Sequence, residues 1–176
     1  MVPLETVFLG LVLLFLIIGA LRGWAKELLV AFSVVLARFI EFVVLIYVPV
    51  VSTALQTLQQ SDPKTWFYVR LMIFMLLVSF GYATTVISAR LGTRARKEKL
   101  EDTLLGLFLG AVNGFLVIGT VWGFVHEMGY NIWGITGPQS EAAQNLLRYL
   151  PTEWLQGPSL FVGVAVAFAF VLIVFV

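Results

Sequence analysis

Arg38 and Glu41 stand three residues apart inside a long apolar run, a spacing that puts a guanidinium and a carboxylate on one helix face within pairing distance. Arg38 lies about ten residues beyond Leu28, or ~15 Å along a helix, close to the middle of a bilayer. An unpaired charge at that depth costs at least ~2.5 kcal/mol on insertion scales. Three roles fit the pair: a local ion pair turned into a helix bundle, a contact with a neighbouring subunit, or part of a polar pathway. One pair cannot relay a proton across a membrane. No Asp, Glu or His is expected at mid-depth in any other span, so transport is the weaker reading. His126 is the single histidine, beside Glu127 at the end of an apolar run. It reads as an interfacial side chain. An axial ligand to haem or a chlorin would also need only one imidazole, but nothing else in the chain supports such a site.

A second group is Arg22-Gly23-Trp24-Ala25-Lys26-Glu27. Gly23 permits a tight turn between antiparallel spans, and Trp24 suits the headgroup level. Arg22 and Lys26 would meet lipid phosphate or the cytoplasm. Glu27 could pair with either base, where its charge favours the N-terminus of the next helix. The group reads as a structural corner, with contact to a partner or a lipid headgroup as the alternative. A third group is Gly106, Gly110 and Gly114, a four-residue ridge on one helix face, followed by Gly119 and Gly123. In water each glycine would cost such a helix about 1 kcal/mol against alanine. In lipid the ridge lets another backbone approach closely, inside the same bundle or on an oligomer or partner face. Asn113, on the same helix, reads as an interhelical hydrogen bond. Gly110→Leu is expected to disrupt this packing, and Gly110→Ala to be milder.

The elements that must carry these residues follow from composition. Of 176 residues, 60% are hydrophobic and 12% charged, where a soluble domain carries about 25% charged residues. The apolar surplus falls in long runs, which makes this an integral membrane protein. A net charge of +1 offers no basic field for nucleic acid. The absence of cysteine excludes disulfides, thiolate catalysis and cysteine metal sites, and one histidine excludes multi-histidine sites. No nucleophile stands with a base, so neither catalysis nor a cofactor is expected.

Five spans are expected: about residues 4–21, 28–51, 66–89, 103–125 and 160–176. The first resembles a signal peptide in length, but it has Glu5 in place of a basic n-region and no small-residue cleavage site, so it is read as retained. Residues 52–65 read as a polar loop ending in the turn signal Asp62-Pro63. Trp66 and Tyr68 read as an aromatic anchor opening the third span. Residues 140–150 read as a short helix capped by Ser140, ended by Pro151 and lying along the membrane surface. The last span has no polar flank. Its end must just reach an interface, or the chain continues.

Arg22-Gly23-Trp24-Ala25-Lys26-Glu27 resembles the R-G-aromatic-x-basic-E corner of the colicin V production protein family. Asp102-x-x-Leu105-Gly106, with Gly110 and Gly114, is similar to that family's D-x-x-L-G-x3-G-x3-G block. The segment ending Leu150-Pro151 also resembles the one that follows it there. The resemblance covers about residues 3–151 and implies a four-span bacterial inner-membrane protein linked to colicin export, envelope integrity and membrane homeostasis, with no chemical reaction to inherit. The chain departs from the pattern in several places. Asn113 and Thr103 stand where basic residues are usual, Arg38 and Glu41 are not demanded, and the fifth span is added. Some relatives carry a trypsin-like protease domain, for which this chain has neither room nor a G-x-S-x-G.

The resulting expectation is an all-α polytopic transmembrane helix bundle. Residues 1–151 form a four-helix domain with its surface helix, and 152–176 a linker and additional span. It would act as a non-catalytic scaffold or accessory subunit, with membrane lipids and other membrane proteins or copies of itself as partners, and no nucleic acid. A small channel or transporter using Arg38 and Glu41 is the alternative. Arg22, Lys26, Arg90, Arg94, Arg96, Lys97 and Lys99 fall on one side, against Lys64, Arg70 and Arg148 on the other. The positive-inside bias puts the N-terminus outside. A cysteine introduced as Arg96→Cys should therefore resist an impermeant thiol reagent in intact cells and label after permeabilisation. Ready labelling in intact cells would reverse the topology.

Overall fold

A computed structural model describes residues 3–83 and 99–175, and all of its regular structure is helical. The helices are α1 (Leu4–Arg22), α2 (Trp24–Tyr47), α3 (Pro49–Ser61), α4 (Pro63–Ala83), α5 (Lys99–Glu127), α6 (Glu141–Leu147), α7 (Pro151–Trp154) and α8 (Pro158–Phe175). Four of them, α1, α2, α4 and α5, are long and apolar enough to cross a membrane, and α8, bent 64° from the α6–α7 segment, makes up to a fifth. The last residues of the expected third span (84–89) and most of the basic run, from Arg90 to Glu98, lie outside the described residues.

The most extensive helix pair is α1 with α5, packed antiparallel. A Cβ on Gly110 would lie 2.5 Å from the Phe15 carbonyl oxygen and 2.8 Å from the Gly19 Cα. A Cβ on Gly19 would lie 2.6 Å from the Gly110 Cα, and Gly106 meets the Gly19 carbonyl. Gly114 completes the ridge against Phe15 and Val12. Backbone thus lies on backbone over the half of the pair nearest Gly23. Toward the other end the gap widens and aromatic rings fill it: Phe8 packs on Phe115 at 6.0 Å and on Trp122 at 5.1 Å between centroids. The glycine ridge is therefore occupied within the chain. Because backbone, not a flexible side chain, faces Gly110, even alanine there overpacks the contact, with less bulk than leucine.

Gly119 and Gly123 serve a different partner. Pro151 lies against Gly119 and Thr152 against Gly123. Leu150, Pro151 and Thr152 are buried, so the segment after α6 tucks into α5 and does not lie wholly on the surface. Proline explains the geometry: it ends α6 and, as the first residue of α7, opens a new turn where its missing N–H has no consequence. Ser140 caps α6, its Oγ accepting from the Ala143 N–H at 3.0 Å.

Residues 49–61 are a helix, not a loop. Pro49 opens it, and the Ser52, Thr53 and Thr57 hydroxyls donate back to carbonyls of Pro49 and Thr53. Such back-bonding satisfies polar side chains within a helix, so polarity here did not mean irregularity. This helix packs on α2 and α4, and it explains why Trp66 is buried at 7% exposure, not anchored at a lipid interface, while Tyr68 is exposed. Asp62 caps α4: the Thr65 N–H and hydroxyl both donate to its carboxylate and hold its pKa below the usual range. That contribution is present above the unfolded carboxylate pKa and is lost as pH falls through the lowered one.

Gly110→Ala should lower the melting temperature of the detergent-solubilised protein by an amount corresponding to ~1–3 kcal/mol of overpacking. Gly10→Ala, where nothing lies within 4 Å of the added Cβ, should not lower it. Equal melting of the two variants would show that the α1–α5 contact is looser than described.

Candidate functional site

Two polar layers cross the apolar bundle, one near the Gly23 turn and one near the opposite end. The first begins with Gly23, whose φ of 84° favours glycine. A Cβ there would also meet the Asp102 carboxylate at 2.7 Å. That carboxylate accepts from the Trp24 N–H at 3.1 Å. It therefore satisfies an orphan donor at the start of α2 and places negative charge at the helix N-terminus. The corner and the first residue of the D-x-x-L-G block are two halves of one structure.

One turn into α2, Glu27 is fully buried. Its Oε1 lies 3.2 Å from the Arg22 Nη1. Asn113, equally buried on α5, donates through Nδ2 to the Glu27 Oε2 at 2.8 Å and to the Glu27 carbonyl at 2.7 Å. The Arg22 guanidinium also stacks 4.3 Å over the Tyr82 ring on α4 and donates to the Tyr82 carbonyl at 3.4 Å. Arg22, Glu27, Asn113 and Tyr82 thus tie four helices together. Among the described residues, the Asn113 Oδ1 and the Tyr82 hydroxyl have no hydrogen-bond partner. Lys26 is exposed beside this layer.

In the second layer Arg38 and Glu41 pair across one turn of α2. They are not isolated. Glu41 also holds Arg70 of α4, and Arg70 in turn reaches Glu127 at the end of α5. The side chains of Arg38, Glu41 and Arg70 are 8%, 15% and 13% exposed, whereas that of Glu127 is 45% exposed. Both guanidiniums face the buried Phe124 ring, Arg70 at 3.7 Å and Arg38 at 5.4 Å from its centroid, so each cation gains a π face as well as a carboxylate. The pair read from the sequence is thus part of a network of four, extended by Arg70 near the start of the third span and by Glu127 at the end of the fourth. The sequence signal for it was the seven-residue offset of Arg70 from Pro63, two helical turns into α4. Between the layers, Val30, Val34, Val78 and Val117 are buried. Glu27 and Arg38 are eleven residues apart, so the layers stand roughly 16 Å apart along α2.

His126 is exposed, and its Nδ1 lies 3.0 Å from the Tyr130 hydroxyl, which also accepts from the Trp122 Nε1–H at 3.2 Å. Among the described residues no three His, Cys, Asp or Glu side chains are grouped to hold a metal ion.

Long apolar helices joined by paired intramembrane charges define the class: an all-helical, multi-pass membrane protein. Within that class the chain belongs to the colicin V production protein family, whose model matches residues 4–134. The match spans both polar layers and the glycine ridge, and it ends before α6. No curated protein and no solved structure matches the chain.

Glu41 bridges two arginines, so Glu41→Leu should be the most damaging single change in the second layer, exceeding Arg38→Leu. Breaking a buried pair costs roughly 3–5 kcal/mol. The double variant Arg38→Leu/Glu41→Leu leaves Arg70 with Glu127 and should recover much of the loss. Thermal unfolding in detergent reads all three. Parent-like behaviour of Glu41→Leu would mean that the arginines reach water.

Proposed function

We propose that this protein is a non-catalytic scaffold or accessory subunit of the bacterial inner membrane, packing against other integral membrane proteins, a second copy of itself, and lipid. The observation that carries this reading is the engagement of its intramembrane charges. Arg38, Glu41, Arg70 and Glu127 form one neutral network across α2, α4 and α5, and Glu27 is held by Arg22 and Asn113. Such layers set the relative positions of helices and leave the apolar outer faces for lateral contact. On α4, Met72, Met75, Leu76 and Phe80 form one such exposed face.

The orientation we favour has the Gly23 turn in the cytoplasm and the N-terminus outside. It is supported by the pairing of Arg70 within the network, which takes it out of the count of free positives on the outer side and leaves Lys64 and Arg148 there. A small channel or transporter through Arg38 and Glu41 is the competing reading. Against it stand the mutual pairing of those groups and the buried valines between the two layers.

Gentle extraction followed by intact-mass measurement should find the chain in an assembly, either with a second membrane protein or as an oligomer, and purified protein in liposomes should pass neither protons nor monovalent ions. A lone monomer in native-like lipid, or a flux abolished by Glu41→Gln, would overturn the scaffold reading.

A further inference from the structure

At the end of the bundle away from the Gly23 turn, α1 and α5 diverge and leave a slot of about 220 Å³ between them. Its walls are apolar, among them Val7, Phe8, Leu11, Ile118, Trp122 and Ile135. Trp122 contributes its ring alone, since its Nε1–H is donated to Tyr130 on the other side. The slot shares Leu4, Val7, Trp133 and Ile135 with a wider vestibule of about 730 Å³, whose further lining includes Glu5, Thr136, Gln139 and Ser140. A narrow apolar cleft thus opens into a wider mouth that carries a few polar groups, in the volume range of small-ligand sites, roughly 300–1,000 Å³.

The mouth is built. Tyr130, buried at 8% exposure, sits at φ 66°, a conformation uncommon for a non-glycine residue. Its hydroxyl is held by Trp122 and His126, and its ring packs under Gly137. The Ser140 hydroxyl donates to the Glu5 Oε1 at 2.8 Å, tying the start of α1 to the cap of α6. The charge of the mouth is one-sided. Glu5 joins no ion pair among the described residues, and the residues lining the vestibule include no lysine or arginine.

We infer that this slot and vestibule bind a phospholipid with a primary-amine headgroup: one acyl chain lies between α1 and α5, and the ammonium meets Glu5. A carboxylate with no basic companion selects a cation and disfavours a head that carries only phosphate and hydroxyls. The apolar slot beside it selects a chain, and a membrane supplies both in one molecule. Trp133, exposed on the rim of both compartments, suits the boundary between headgroup and chain.

The test uses delipidated full-length protein in mild detergent, titrated with phosphatidylethanolamine or phosphatidylglycerol of identical acyl chains and read by native mass spectrometry. The parent should hold one lipid with about tenfold preference for the ethanolamine head. Glu5→Gln keeps an acceptor for Ser140 and should reduce the preference to near parity. Ser140→Ala, which leaves the carboxylate in place, should retain it. Val7→Trp, at an exposed position lining both compartments, should lose both lipids while melting like the parent. Equal binding of the two lipids by the parent, or an undiminished preference in Glu5→Gln, would mean annular lipid only and would overturn the assignment.

Discussion

The bundle depends on the contact of backbone with backbone where Gly19 meets Gly106 and Gly110. In lipid no hydrophobic force presses helices together, so close van der Waals contact and weak Cα–H···O interactions must supply the attraction. Any side chain larger than hydrogen would separate α1 from α5. That separation would carry further than the ridge. The Asp102 carboxylate reaches the Gly23 turn and the Trp24 N–H because the two helices are this near. Asn113, on another face of α5, needs the same placement to reach Glu27.

The two polar layers differ in kind. Near the turn, one carboxylate is buried completely and is held by a guanidinium and an amide. At the far end, two carboxylates and two guanidiniums form a chain whose last member, Glu127, is the most exposed. The buried members have aromatic faces beside them, Tyr82 for Arg22 and Phe124 for Arg38 and Arg70. Pairing removes the cost of leaving a charge alone in a low-dielectric interior, and it orients helices more than it adds net stability.

Much of the fold was legible because its signals are periodic or local. Four-residue glycine spacing marks a helix face, Arg38 and Glu41 announce themselves three residues apart, and Ser140 precedes the helix it caps. What was not legible depends on distance along the chain. Gly19 stands in an apolar run with Gly10 before it and Gly23 four residues after it, and nothing in that local spacing names its partner, a ridge nearly ninety residues away. Asp102 caps a helix that begins 78 residues before it. Arg70 was counted with the charges at one end of its span because hydropathy placed the start of that span near Trp66, whereas Pro63 opens the helix and sets Arg70 two turns inside it. The helix at Pro49–Ser61 was hidden by its polarity, and the seat of Pro151 on Gly119 by the neutrality of both residues.

The charge network has a consequence for biogenesis. Arg38 travels into the membrane with Glu41 on the same helix, so α2 can enter as a neutral segment. Arg70 has no such companion: α4 contains no acidic residue, and both acids that Arg70 meets belong to other helices. Of these, Glu41 is synthesised before Arg70 and Glu127 well after it. During translation α4 must therefore wait beside α2, in or near the insertion machinery, with its arginine half-compensated. The arrival of α5 then completes the set, and a ribosome that stalls between the two would leave a cation at the membrane short of one of its partners.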